Sequence, residues 1–274
     1  MKSWKYILTV IVAAGTIGGQ AALAAETPVD QVLQPVTDSV SQLIQIKDDT
    51  SLIGLDKDEK ELEARLNIIK DVLRLSTDEI AKLQDKLYKL PLFDDKSREK
   101  ILKTEYQKSL DDFSVYYTDV YKRLADVRTN DNAKALAEEL KNYRDTIYNP
   151  EIKKIADFTI LFYAADVVKT GKARLNKISG DISRLEKLGY LKTGVFAGKL
   201  KKAQTLLDEA DKFQQEAATI ILAPEPTPNE DTTQTTKEPK DSGDLTSQSL
   251  KNVKDAYGIF LQIGKDLKKY LGLK

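Results

Sequence analysis

The side chains that most often run chemistry near neutral pH are missing: the 274-residue sequence holds no cysteine and no histidine. Thiolate nucleophiles, Cys- or His-ligated metals, Ser-His-Asp relays and the imidazole pH switch are excluded with them. Carboxylates and tyrosines remain. Adjacent acids such as Asp48-Asp49 and Asp111-Asp112 are what solvated helix faces carry. The run Asp56-Lys57-Asp58-Glu59 lacks the glycine and the distal glutamate that a calcium loop requires. No glycine-rich phosphate loop is present. Tyr106 and Tyr117 fall on an apolar seam, where a tyrosine serves as core. The sequence therefore points to no catalytic residue, no cofactor and no metal site, and the expectation is a protein that is not an enzyme.

Three features stand above this background. Phe158-Thr159-Ile160-Leu161-Phe162-Tyr163-Ala164-Ala165 is apolar almost all round. Such a segment is usually buried where helices meet; the sharper alternative is an insertion element of a membrane-active or pore-forming effector. It is too short to span a bilayer alone and is bounded by Asp157 and Asp166. Ser76 interrupts an otherwise apolar seam, where a polar residue can fix register. The third feature is the C-terminal segment, whose apolar positions Tyr257, Phe260, Leu267 and Leu271 recur at helical spacing beside Lys254, Lys265, Lys268 and Lys269. A basic amphipathic helix of this kind suits a membrane surface, a partner's groove or its own bundle.

The elements that must position these residues are helices. Asp56 with Glu59 marks a helix start of capping-box type. From there Leu62, Leu66, Ile69, Leu73, Ser76, Ile80, Leu83, Leu87 and Leu90 alternate steps of four and three until Pro91. Ser76-Thr77-Asp78-Glu79 offers a second cap, but the unbroken register favours one continuous helix. After a loop at 91–95, Tyr106, Leu110, Phe113, Tyr117, Val120, Leu124 and Val127 repeat the alternation, so the two helices should fold back on each other. A cap near Thr129 opens a helix with Leu136, Leu140, Tyr143 and Ile147 on its face. Asn149-Pro150-Glu151 then reads as N-cap, first-position proline and first-turn acid of a new helix running to Leu188, with Gly189 as its stop. Phe196, Leu200, Ala203, Leu207, Ala210, Gln214, Ala217 and Ile221 mark its return partner. The expected fold is an all-α, elongated antiparallel bundle with coiled-coil-like heptad seams, with Val29–Ile46 as a further helix alongside.

At the N-terminus, Lys2 and Lys5 precede the apolar stretch Tyr6–Ile17, and Ala22-Leu23-Ala24 supplies a small-residue cleavage site. Residues 1–25 thus read as an export signal, cleaved after Ala24 or Ala25, with an uncleaved anchor as the alternative since Tyr6–Ala25 could just reach across a bilayer, and 26–222 as the bundle. Residues 223–245 hold four prolines, many threonines and a net charge of −4, the composition of a disordered linker. Residues 246–274 form the basic helix, with six lysines against two aspartates. Loss of Lys2 and Lys5 with the signal takes the formal charge from zero to −2, which argues against nucleic acid as a partner.

Leu185-Glu186-Lys187-Leu188-Gly189, followed by Lys199-Leu200, Ala203, Leu206-Leu207 and Glu209-Ala210, resembles a helix-Gly-helix pattern of uncharacterised secreted helical proteins of bacteria. The resemblance implies an exported helical protein and no site residue. The expected function is an extracytoplasmic, non-enzymatic structural or interaction protein, a scaffold or spacer at the cell envelope. Its partner would be a protein or another envelope component, with the C-terminal helix also able to contact a membrane surface.

Overall fold

A computed structural model describes residues 55–223 and 241–272. The export signal, the Val29–Ile46 helix and most of the proline-rich linker lie outside the described residues. Helix is the sole regular structure among the described residues. The order is α1 (Leu55–Lys89), α2 (Arg98–Leu124), α3 (Asn130–Tyr143), a π turn (Arg144–Tyr148), α4 (Asn149–Lys187), α5 (Ala197–Ile221) and α6 (Ser242–Tyr270). The chain divides into two compact units, with the boundary between Thr159 and Ile160 in α4.

In the first unit, α1 is one unbroken helix through Ser76 and Thr77. Their hydroxyls do not cap a new start. Each donates back to a carbonyl four residues earlier, Ser76 to Val72 at 2.7 Å and Thr77 to Leu73 at 2.8 Å. Just past α1, Leu90 offers its carbonyl to Lys103 Nζ of α2 at 3.1 Å. Burial lowers the pKa of this ammonium. Gln84 Nε2 donates to Asp111 at 2.9 Å further along, so α1 and α2 run antiparallel. All seven expected seam residues of α2 and its exit, Tyr106 through Val127, are buried. Thr129 caps α3 by accepting the Asn132 N–H at 3.2 Å. Arg123 clasps Glu139 with two hydrogen bonds of 2.9 and 2.6 Å, joining α2 to α3.

The α-helix does take over at Asn149 as expected, but Asn149 is not an N-cap and no break precedes it. Asn149 lies in the right-handed helical region, and its N–H bonds to the Arg144 carbonyl five residues back. The helix passes through a π turn instead of breaking. Pro150 explains why a plain α-helix is disfavoured: it has no N–H for the Thr146 carbonyl, and its ring would press on that group. The wider turn absorbs one extra residue. This shifts the buried face by one position. Tyr143 and Ile147 were expected on it, yet Ile147 is exposed and Arg144 and Tyr148 are buried in the core.

In the second unit, α4 from Ile160, α5 and α6 share one apolar core that includes Leu175, Ile182, Leu207 and Ile263. Lys172 of α4 pairs with Asp211 of α5 at 2.7 Å. Ser249 of α6 donates to the Ala210 carbonyl at 2.8 Å, while Lys199 pairs with Asp266, so α6 runs antiparallel to α5. The three helices meet at Gly171, where a Cβ would lie 2.8 Å from Leu207 and 3.7 Å from both Val253 and Tyr257. The C-terminal helix begins at Ser242, capped by the Asp241 carboxylate on the Gly243 N–H at 2.8 Å, and not at Thr246. Its first turn carries Leu245, which is buried against Leu161 and Ala217.

Candidate functional site

The densest polar chemistry among the described residues surrounds Arg144. Its side chain is only 2% exposed and is among the largest fully buried ones. An unpaired guanidinium there would cost several kcal/mol, and the surrounding helices supply acceptors. Arg144 Nη1 donates to Ser76 Oγ of α1 at 2.5 Å and to the Tyr117 oxygen of α2 at 3.2 Å. Nη2 donates to Asn149 Oδ1 at 3.3 Å, one turn further along the same helix. The Tyr148 ring lies 4.7 Å from the guanidinium carbon, in cation–π range.

A buried carboxyl group completes the cluster. Glu79 of α1 is buried, and its Oε2 accepts a 2.8 Å hydrogen bond from the Tyr148 hydroxyl. Burial raises the Glu79 pKa, against the opposing pull of that hydrogen bond and of the Arg144 and Lys82 charges. Burial likewise drives the Tyr117 and Tyr148 phenols upward, so both stay protonated, Tyr148 donating to Glu79 and Tyr117 accepting from Arg144. Tyr116 is pushed up to about 12, again chiefly by burial. Aromatic rings pack around this centre. Phe113 and Tyr117 meet Tyr148 edge-on with centroids 5.0 and 5.3 Å away, and Tyr116 stacks on Tyr143 at 3.5 Å.

Chemically, this arrangement holds charges in place. Ser76, Tyr117, Asn149, Tyr148 and Glu79 use their polar atoms on one another or on Arg144, which ties α1 and α2 to the π turn. Ser76, singled out in the sequence for interrupting the seam, is one of its acceptors. Arg144, Glu79 and Tyr148 were not foreseen. For Arg144 and Tyr148 a signal was present in the spacing: Leu136, Leu140, Arg144, Tyr148 and Ile152 recur every four residues. That step drifts off an ordinary helix face and stays on it only if one turn is widened.

The predicted contact residues of the C-terminal helix separate into two sets. Phe260 and Leu267 are buried in the second unit's core, and Tyr257 and Leu271 pack partly against it. Arg174 of α4 sits over the Tyr257 ring at 5.1 Å. The apolar face is thus docked on α4 and α5. Lys254, Lys265, Lys268 and Lys269 remain in solvent. The Phe158–Ala165 block is also largely inward: Phe158 meets Tyr106 at 5.3 Å in the first unit, and Leu161 belongs to a core cluster of the second. Among the described residues, no helix is long and apolar enough to cross a membrane, and no three carboxylates converge to hold a metal ion. No known family model, curated protein or solved structure matches this chain.

Proposed function

We propose that this chain is a non-enzymatic structural or interaction protein that works outside the cytoplasm, as a scaffold or spacer at the cell envelope. The supporting observation is the Arg144 network. Its ionisable groups are spent on joining α1, α2 and the π turn, and burial keeps its tyrosines protonated. A bundle locked in this way suits a load-transmitting or presenting role. The amino-terminal pattern of Lys2, Lys5, Tyr6–Ile17 and Ala22-Leu23-Ala24 supplies the route out of the cell.

Fractionation with intact-mass analysis tests this directly. The expected result is an envelope-associated or secreted chain trimmed after Ala24 or Ala25. Because Trp4 is the only tryptophan, trimming also abolishes tryptophan fluorescence. Full-length chain recovered from the cytoplasm would sink the proposal.

A further inference from the structure

The end of the second unit where α4 stops is built differently from its sides. The α4–α5 connection opens with a Schellman closure. Tyr190 N–H reaches the Leu185 carbonyl at 3.0 Å and Gly189 N–H reaches that of Glu186 at 3.0 Å, with Gly189 at φ +75°. The Glu186 carboxylate then accepts the Gly194 N–H at 2.8 Å. Leu191 and Phe196, each 4% exposed, plug the connection into the core. The last turn of α6 arrives alongside, where the Tyr270 phenol oxygen accepts the Lys192 N–H at 3.3 Å.

With those anchors turned inward, other large side chains are held outward. Leu188 is 62% exposed, Tyr190 48%, Val195 45% and Tyr270 50%. Lys187, Lys192, Lys268 and Lys269 are exposed beside them. Carboxylates near this end are already engaged, Glu186 by the Gly194 N–H and Asp266 by Lys199. From Lys187 to Leu207 the sequence has no acid. Last-turn lysines complement helix dipoles, which accounts for Lys187, Lys268 and Lys269. The dipole does not account for Lys192, which is outside any helix, nor for four outward apolar groups.

We infer that this end of the unit is a docking surface for an anionic lipid bilayer. The inference rests on the extracytoplasmic reading, which places a lipid leaflet within reach. Lysines are drawn to an anionic surface within a Debye length. Tyrosines favour the interface, where the ring is apolar and the hydroxyl stays wet. Leu188 and Val195 gain by leaving water for the acyl boundary. Protein interfaces are poor in lysine, which makes an acidic protein the weaker fit. The contact is made by the rigid end of the unit, while the apolar face of α6 stays in the core.

Co-sedimentation with vesicles of phosphatidylglycerol and phosphatidylcholine, against phosphatidylcholine alone, tests the assignment. The parent should bind the anionic vesicles, with salt weakening the binding. Replacing Lys192, Lys268 and Lys269 together by Gln should weaken it about five-fold per lysine. Leu188→Ser with Val195→Ser should weaken it about ten-fold or more. These positions are exposed, so an unchanged far-ultraviolet spectrum confirms folding, and a shared N-terminus contributes equally to every arm. Variants that sediment with anionic vesicles as the parent does would overturn the inference. Loss with the lysine variant alone, together with full competition by poly-glutamate, would also overturn it in favour of an acidic macromolecule. If the variants reach the envelope as the parent does and no vesicle binding depends on this end, the lipid assignment falls and the scaffold proposal stands.

Discussion

At the centre of the first unit is a guanidinium; at the centre of the second is a missing side chain. Arg144 ties α1 and α2 to the π turn through directional bonds, and each partner is met at a defined atom. Gly171 brings α4, α5 and α6 together by removing volume, and the contacts there are made by Leu207, Val253 and Tyr257. The first device tolerates no partial loss, because a buried donor or charge left over costs more than the bond contributed. The second is graded, since apolar side chains can shift by a few tenths of an ångström. The second unit also carries the opposite irregularity: Gln214 is buried on α5 with neither amide atom hydrogen-bonded to the protein. The groups that touch Arg144 are paired, although the first unit too holds buried polar atoms without a protein partner, Arg98 Nε, the Tyr116 hydroxyl and Asn130 Oδ1; in the second it is a whole side-chain amide that is left so.

The largest expected effect breaks the first centre. Arg144→Met should cost about 3–5 kcal/mol in chemical denaturation, because it strands Glu79. The double variant with Glu79→Leu should lose less than Arg144→Met alone. An equal or larger loss would show that the two charges are not coupled. In the second unit, Gly171→Ala sets crowding against helix propensity. Overpacking of about 1–3 kcal/mol, offset by about 1 kcal/mol of propensity, predicts a modest net loss in thermal melts. Gly180→Ala, with open space at the Cβ position, should instead gain up to about 1 kcal/mol. If both move the same way, the close approach at Gly171 is not what holds the three helices. The smallest effect is at Gln214. Gln214→Leu should be neutral or stabilising by about 1 kcal/mol, since no protein hydrogen bond is lost. A clear destabilisation would mean that the amide has a partner after all, and the contrast between the units would narrow.

Most of the helical layout could be read from apolar spacing. The seams from Ile69 to Leu90 and from Tyr106 to Val127 are buried as the four-three alternation requires, and Ala203, Leu207, Ala210, Gln214 and Ala217 follow it on α5. Gly189 ends α4 because a left-handed residue is needed there and glycine supplies it. The reading failed where local and tertiary signals disagreed. Asn149-Pro150 carries every local mark of a helix start, but the packing of Arg144 and Tyr148 keeps the helix going through a wider turn. Asp241–Leu245 was read as linker because its composition is polar. A single buried leucine and an aspartate cap are enough to recruit those residues into α6. A charged side chain at the core is the hardest feature to foresee, since hydrophobic pattern assigns Arg144 to solvent.

The π turn also changes what a one-residue insertion or deletion does to this chain. In an ordinary helix, deleting a residue turns every later side chain by about 100° and empties the buried face. Between Arg144 and Tyr148 the helix already holds one residue beyond the α count, so a deletion there can be absorbed by closing the wide turn, at the cost of the Pro150 clash that a plain α turn brings. The phase of Ile152, Ile155 and Phe158 relative to α1 and α2 would then survive the loss. This segment is therefore a length buffer within a region that otherwise has none. The same deletion one turn earlier or later would have no such slack.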